Sequence, residues 1–422
     1  MDLEEKLSIL AAAAKYDASC ASSGSEGKAG SASGKSALGY RAAAGVCHSW
    51  TGDGRCVSLL KLLYSNVCRF DCAYCVNRVS SDIPRASFTS QELVELTVEF
   101  YRRNYIEGLF LSSGIFSDPD VVMEKLIQTA KALRTQGAFG GYIHLKIIPG
   151  SGERLIREAG LWADRLSVNI ELPTSGSLKK LAPQKDGKTI FGAMGEVNET
   201  EREYGEDRKT MRSVPEFAPS GQSTQLVIGA SPEDDRTIIN LSGALYRKFG
   251  LRRVYYSAFM PADRGDPRLP DIAAPPLKRE HRLYQADWLL RFYHFTPQEV
   301  LDGDTPFLDT LIDPKAAWAL RHLEFFPVEL IRASYEELLR VPGIGAVSAR
   351  RIVEARRGGA FGAASRSLSF DRLRRLGVSL KRARYFITVA GTFIDRAGDS
   401  GKLRGILAGL DGEGLQLPLF DF

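Results

Sequence analysis

Short apolar runs alternate along the chain with longer stretches whose apolar residues return every three or four positions. Runs of strand length lie at 58–64, 108–113, 142–148, 165–171, 224–229 and 253–259. Helix-period segments separate most of them, at 90–105, 120–136, 152–160 and 233–249. Thr89, with Glu92 three residues on, has the form of a capping box and predicts a helix start at 90. Six strands alternating with helices predict a parallel α/β sheet, and the pattern alone does not separate an open sheet from a barrel. A short amphipathic helix is expected at 4–15, then a flexible Ser/Gly/Ala-rich loop at 17–38. Residues 174–223 interrupt the rhythm. Their charged stretch Glu199–Lys209 reads as a solvated surface helix, with a lid over the active site as the other reading. Residues 260–277, rich in Pro and Asp, read as an irregular connection. A helix at 278–294 carries Tyr284, Trp288, Phe292 and Tyr293, an aromatic stripe expected to face a core.

Composition narrows the class. A chain of 422 residues has room for two or three domains, and 44% hydrophobic with 25% charged residues is ordinary for a globular protein. No apolar run reaches membrane-spanning length, so no membrane association is expected. The acidic start Met1-Asp2-Leu3-Glu4-Glu5 opens a helix and does not read as a signal peptide. Six cysteines in so long a chain are no disulfide framework, and a cytoplasmic, reducing location is expected. The net charge of +5 is uneven. Residues 328–405 hold sixteen Lys+Arg against seven Asp+Glu, a net of +9, which leaves the rest at −4. A basic C-terminal module on a mildly acidic body points to a polyanionic partner.

The strongest chemical signal is Cys68-Arg69-Phe70-Asp71-Cys72-Ala73-Tyr74-Cys75, directly after the first apolar run. Thiolates suit iron–sulfur clusters and zinc. Structural zinc wants four ligands, and no fourth cysteine or histidine follows closely. A 4Fe-4S cluster normally takes four cysteines, so three leave one iron open. A zinc knuckle or three reduced core cysteines are the alternatives. The C-x3-C-x2-C spacing resembles that of the radical S-adenosylmethionine (radical SAM) enzymes. The resemblance implies a partial (β/α)6 barrel with the cysteine loop after the first strand. It implies a 4Fe-4S cluster on Cys68, Cys72 and Cys75 whose open iron chelates SAM, an external reductant, and a 5′-deoxyadenosyl radical that abstracts hydrogen. Tyr74 matches the aromatic that the family places against the adenine. Cys20, Cys47, His48 and Cys56, upstream, are irregularly spaced. They read as reduced structural residues, with a second metal centre as the alternative.

Ligands in parallel α/β folds gather at the C-terminal ends of strands. That singles out Ser112, Ser113 and Gly114, then Lys146, Asn169, Glu171, Gln225 and Gly229. The resemblance implies that Ser112-Ser113-Gly114 meets the SAM amino group, although it departs from the commoner Gly-Gly-Glu form. It also makes Asn169 and Glu171 candidates for the ribose and carboxylate. His144, Lys146, Asn169 and Glu171 alternate along their strands, so all four would face into a barrel. No residue is singled out as catalytic.

Near the C-terminus, Pro342-Gly343-Ile344-Gly345 separates two short helical patterns. Pro342 ends a helix, the glycines allow a tight turn, and the next helix offers free N–H groups to a phosphate. The stretch resembles a helix-hairpin-helix motif. That implies sequence-independent contact with the DNA backbone by Gly343, Ile344, Gly345, Arg350, Arg351, Arg356 and Arg357. A weaker second copy follows at Leu373–Arg384, with Gly377, Lys381 and Arg382. A helical domain for protein contacts is the bland alternative. The expected organisation is an N-terminal helix and loop (1–45), a core (46–330, with 174–223 inserted), a hairpin domain (331–397) and a flexible tail (398–422). In the tail, Gln416, Leu417, Leu419 and Phe420 resemble the short peptide by which bacterial repair proteins dock on the DNA sliding clamp. Their folding back onto the body is the other reading. The whole resembles DNA modification or repair radical SAM proteins with a C-terminal helix-hairpin-helix domain. An RNA-modifying enzyme and a DNA-binding protein with a structural or redox-sensing cluster are the alternatives.

Overall fold

The computed structural model describes residues 1–14, 46–50, 56–261, 265–357, 370–395 and 399–412. They divide into two compact units, residues 1–233 with 244–280, and residues 234–243 with 281–422. The first unit is built on a seven-stranded sheet in sequential order: β1 (Val46–Trp50), β2 (Cys56–Leu63), β3 (Gly108–Ser112), β4 (Tyr142–Lys146), β5 (Arg165–Ser167), β6 (Gln222–Ile228) and β7 (Arg253–Ala258). Strands β2 to β7 are parallel and form a half-barrel; β1 adds antiparallel to β2. The expected α/β fold of partial-barrel type is the fold present. The six anticipated strands appear within a few residues of their expected bounds. The edge strand β1 was not anticipated, because Val-Cys-His-Ser-Trp neither alternates nor runs apolar.

α1 is Leu3–Ala14. The crossovers are α2 (Ser90–Arg102), α3 (Pro119–Thr135), α4 (Glu153–Trp162), α5 (Ser175–Leu181), α6 (Gly187–Thr210) and α7 (Asp235–Phe249). Thr89 and Glu92 make the expected capping box on α2. α2 packs on α3, α3 on α4, and α4 on α6. The sheet has two unlike faces because successive side chains point opposite ways. Leu60, Leu62, Leu109, Leu111, Ile143, Leu145, Leu166 and Leu226 form an apolar face, all fully buried. On the other face one hydrogen-bonded row runs Lys61, Phe110, His144, Arg165. There the Phe110 ring meets the His144 ring edge-on at 4.3 Å and lies 4.9 Å below the Lys61 ammonium. His144 and Lys146 both lie on this face, two residues apart on β4. The stretch Glu199–Lys209 lies in α6, and Arg157 of α4 pairs there with Glu196 and Glu203.

The second unit includes α9 (Pro297–Val300), α10 (Pro314–Arg321), α11 (Tyr335–Arg340), α12 (Ala346–Arg357), α13 (Phe370–Arg375), α14 (Leu380–Ala383) and α15 (Ser400–Gly412). A small sheet of β8 (Val328–Glu329), β9 (Ile387–Val389) and β10 (Thr392–Phe393) accompanies them. α15 corrects the expected flexible tail. Its glycines masked an i, i+4 apolar pair, Leu403 and Leu407, and both are buried. Asp411, near its end, accepts from Arg282 at 3.1 Å and from Arg382. A second correction concerns α8 (Leu277–Phe292). Its buried side chains include Leu283, Ala286 and Leu289, so Trp288 and Phe292 fall off the buried stripe and are exposed. Among the described residues no helix is long and apolar enough to cross a membrane.

Candidate metal centre and candidate nucleic-acid hairpins

The cysteine loop leaves the C-terminal end of β2 and is held there by backbone bonds on several sides. Arg69 N–H donates to Ile115 O at 2.7 Å, Gly114 N–H to Ser65 O at 2.7 Å, and Ala73 N–H to Leu181 O at 2.7 Å. Arg85 clips the loop's two ends, its guanidinium donating to the carbonyls of Asn66, Asn77, Arg78 and Ser81 at 2.6–2.9 Å. Asp71, inside the cysteine run, accepts from the Ser80 hydroxyl at 2.5 Å. Arg78 pairs with Asp266 at 2.6 Å. Gly114 has a structural reason to be glycine: a Cβ there would lie 2.4 Å from Val67 O, so only glycine lets the end of β3 approach the loop.

Cys72 is buried, and Cys68 and Cys75 are partly exposed. The Cys75 N–H donates to Cys72 O at 3.0 Å, and Phe70 N–H points at the Cys68 Sγ at 3.4 Å. Among the described residues no three His, Cys, Asp or Glu groups converge tightly enough for a single metal ion. A single ion draws its thiolates to about 2.3 Å. A 4Fe-4S cluster takes one thiolate per iron, so three thiols on one loop suit three of its irons. No fourth described cysteine is near. Cys56 opens β2, whose eight residues set it roughly 20 Å from the loop at about 3.3 Å per residue. Cys47 is opposite Leu59 and Cys56 opposite Trp50, an odd separation that turns the two thiols to opposite sheet faces. These two therefore do not share a metal. Cys20 and the His48 side chain lie outside the described residues.

At the strand ends the structure assembles Tyr74, Glu171 and Lys185 beside the thiols. Lys185 Nζ donates to Glu171 Oε1 at 2.7 Å and sits 5.9 Å above the Tyr74 ring. Burial alone would lower the Lys185 ammonium, but Glu171 and the thiols of Cys72 and Cys75 outweigh it and hold the pKa above its ordinary value. Burial, reinforced by Glu171, pushes the Tyr74 phenol well up. Burial likewise raises the Cys72 thiol, with Lys185 pulling the other way. Glu171 adopts φ 65°, a left-handed conformation costly for a non-glycine residue and found most often where a side chain must be aimed. Asn169 Nδ2 donates to Gln225 Oε1 at 3.4 Å. The Ser112 hydroxyl is buried without a hydrogen-bond partner, while the buried Tyr74 hydroxyl lies within reach of the Cys72 thiol. Buried polar atoms are normally paired, so the Ser112 hydroxyl fits a ligand that supplies polar groups here. Ser113 Oγ turns back to Gly114 O at 2.8 Å. Lys146 is level with Ser167, one residue pair above His144, and Gly229 takes φ 87° just past β6.

Three residues here escaped sequence reasoning. Lys185 and Arg85 sit in irregular turns without spacing that would mark them. Glu233, shortly after Gly229, accepts from the hydroxyls of Thr174 at 2.6 Å and Ser177. The run Val227-Ile228-Gly229 followed by an acid four residues on was the available signal.

In the second unit, α11 stops before Pro342 and α12 begins at Ala346. Gly343 takes φ 87°, and Ile344 is fully buried. Between α13 and α14 the weaker copy turns in the same way, with Gly377 at φ 88° and Val378 buried. The two turns clasp each other. Ser379 N–H donates to Gly343 O at 2.8 Å, and Ser348 Oγ donates to Gly377 O at 2.7 Å. Arg350, Arg351, Arg357 and Lys381 are exposed. Arg356 instead donates to Ala333 O, and Arg382 is bound by Asp313 and Asp411, so these two guanidinium groups are committed inside the unit. Beneath the first turn, the buried Lys315 ammonium donates to Ile344 O at 2.6 Å. Gln416, Leu417, Leu419 and Phe420 lie outside the described residues.

Residues 62–200 match the radical SAM superfamily, and residues 328–355 match the helix-hairpin-helix motif. No curated protein matches the chain. Among solved structures it is similar to the FeFe-hydrogenase maturase HydG from Carboxydothermus hydrogenoformans, at 15% identity and TM-score 0.39, covering 55% of this chain and 50% of that one. It is similar to methylornithine synthase (PylB), at 15% identity and TM-score 0.40, covering 55% and 60%. It is also similar to the radical S-adenosylmethionine methyltransferase TsrM from Kitasatospora setae, at 12% identity and TM-score 0.33, covering 48% and 36%. The chain thus spans about half the length of the first structures it matches.

Proposed function

We propose that this chain is a radical SAM enzyme, with a 4Fe-4S cluster and S-adenosylmethionine as its cofactors, and that it acts on DNA in repair or modification. The observation that carries the reading is the reciprocal clasp of the two turns, Gly343 with Ser379 and Gly377 with Ser348, in a chain that also carries the cysteine loop. Two hairpins locked together hold the N-terminus of α12 and the exposed Arg350, Arg351, Arg357 and Lys381 in one piece. Free helix N–H groups and such cations suit phosphates of any sequence.

In this reading Cys68, Cys72 and Cys75 ligate the cluster. Lys185 pairs with a SAM carboxylate, and Asn169 and Glu171 take ribose hydroxyl or ammonium groups. Ser112 turns its unpartnered hydroxyl toward the same ligand, and the Tyr74 ring lies beside it. When bound, the cluster and SAM supply a radical that removes a hydrogen atom from the substrate, with the electron coming from an external reductant. The protein's own part is to orient and to exclude water. Arg85 and the Arg78–Asp266 pair stiffen the loop, and Glu171, fixed by its φ and by Lys185, sets the ligand's position. The substrate is a base or sugar made accessible by damage or by extrusion from the stack.

The test compares duplex DNA with structured RNA for binding to the full-length protein over a salt series. Backbone recognition predicts a steep loss of affinity with salt and little sequence preference. Tighter binding of RNA, or none of DNA, would overturn the DNA reading.

A further inference from the structure

We propose that Trp288 and Phe292, with Arg291 beside them, form a platform that stacks an unpaired base of the DNA held by the hairpins. This rests on the DNA reading above and adds to it the state of the bound strand.

Trp288 and Phe292 are 39% and 41% exposed, one helical turn apart on α8, with ring centroids 4.2 Å from each other. The Arg291 guanidinium lies 4.7 Å from the Phe292 ring and 5.8 Å from the Trp288 ring. Asp287 Oδ2, accepting from Arg291 Nε at 2.8 Å, holds it there. The helix anchors itself through other residues, Leu283, Ala286 and Leu289, so packing inside the helix's own buried stripe does not account for the two aromatics. Two large exposed rings together with a cation are what base recognition without sequence preference uses: every base offers a π-face, and arginine adds cation–π attraction.

The platform is continuous with the first hairpin. The next residue, Tyr293, takes the Arg340 guanidinium on its carbonyl at 2.9 Å, and Arg340 closes the helix that enters the turn. A Cβ on Gly345 would be 3.3 Å from the Tyr293 hydroxyl. That hydroxyl lies within reach of both the Trp288 side chain and the backbone of Ala346, the first residue of α12. Trp288 is thus one side chain away from the helix N-terminus to which a phosphate is assigned. A strand whose phosphate sits on α12 brings its neighbouring base toward the rings; a base inside a duplex is stacked on both faces, whereas an unpaired one can turn out and offer a face to them.

The experiment uses the full-length protein and two labelled DNAs of equal length and charge, one fully duplex and one with a central unpaired stretch. Wild type is expected to bind the second more tightly. Trp288→Leu with Phe292→Leu, which keeps apolar volume on the helix but removes the π-faces, is expected to abolish that preference. The loss on the unpaired DNA should be about tenfold, with duplex affinity unchanged. Trp288→Phe with Phe292→Tyr should retain the preference. Duplex binding with no preference in wild type, or a preference that survives the double leucine change, would overturn this inference and leave the DNA reading standing. Absence of binding to either DNA would overturn both.

Discussion

Replacing Gly343 by alanine tests the geometry of the paired hairpins, with Gly345→Ala as its control. At Gly343 the backbone has φ 87°, and an added Cβ would be 2.6 Å from Ser379 O and 3.0 Å from Ala383 N, both main-chain atoms of the second hairpin. The left-handed conformation alone costs a non-glycine residue about 1–2 kcal/mol. Relieving the clash parts the two turns and stretches the Ser379 N–H to Gly343 O bond, worth roughly another 1 kcal/mol. The sum is about 2–3 kcal/mol against the clasped state. At Gly345 the nearest atom to an added Cβ is the Tyr293 hydroxyl at 3.3 Å, a side-chain end, and the cost is under about 1 kcal/mol. Amide hydrogen exchange of residues 346–357 in the full-length chain reads this directly. Gly343→Ala should cut protection roughly 30- to 150-fold, and Gly345→Ala less than about fivefold, at about 1.4 kcal/mol per decade. Equal losses in the two variants would refute the clasp as the source of hairpin rigidity.

Three further outcomes follow from named contacts. Alanine at any one of Cys68, Cys72 or Cys75 should abolish SAM cleavage by the reconstituted protein, checked by chromatography of the products, whereas Cys56→Ala should leave it intact. Lys185→Gln should weaken SAM binding by about 10- to 100-fold in equilibrium dialysis, the value of a charge-assisted hydrogen bond. Lys315 gives a pH dependence. Burial lowers its ammonium to about 7 from an ordinary 10.5, with Asp313 opposing and Arg340 reinforcing, while Arg382 holds Asp313 and the Tyr293 ring covers the amine at 4.6 Å. Because the folded-state value is depressed for a base, the unfolded chain binds more protons between pH 7 and 10.5, so this group's penalty is full below pH 7 and fades as pH rises. Hairpin protection in wild type should therefore gain about 2 kcal/mol over Lys315→Met between pH 7 and 9; a difference that stays flat would assign the amine an ordinary pKa.

Much of the fold was legible because its determinants are local and periodic. The buried parallel strands are short apolar runs, and the capping box at Thr89 marks α2 in four residues. The cysteine loop is contiguous, so its chemistry could be read without the fold. The rest depends on contacts that are distant in sequence. Lys185 joins the site by following a helical insertion back to the strand ends, and Arg85 acts on carbonyls up to nineteen residues away. The second hairpin lacks the proline and second glycine of the first, so the sequence marks it only weakly; Gly377's positive φ and its bond from Ser348 show how it pairs with the first. On α8 the aromatic positions 284, 288 and 292 recur at i, i+4 and the buried positions 283, 286 and 289 at i, i+3, and both spacings are compatible with one face of a helix. Periodicity identifies a stripe but not which way it faces, and for that reason Trp288 and Phe292 read as core.

The central claim is that a SAM-derived radical is spent on DNA. The measurement is mass analysis of the 5′-deoxyadenosine formed when the anaerobically reconstituted, reduced protein is given SAM and DNA deuterated at its carbon positions. The account predicts 5′-deoxyadenosine carrying one added deuterium, found with damaged or partly unpaired DNA and lost in Cys72→Ala. Product of unchanged mass, formed equally with and without a DNA that the protein demonstrably binds, would contradict it.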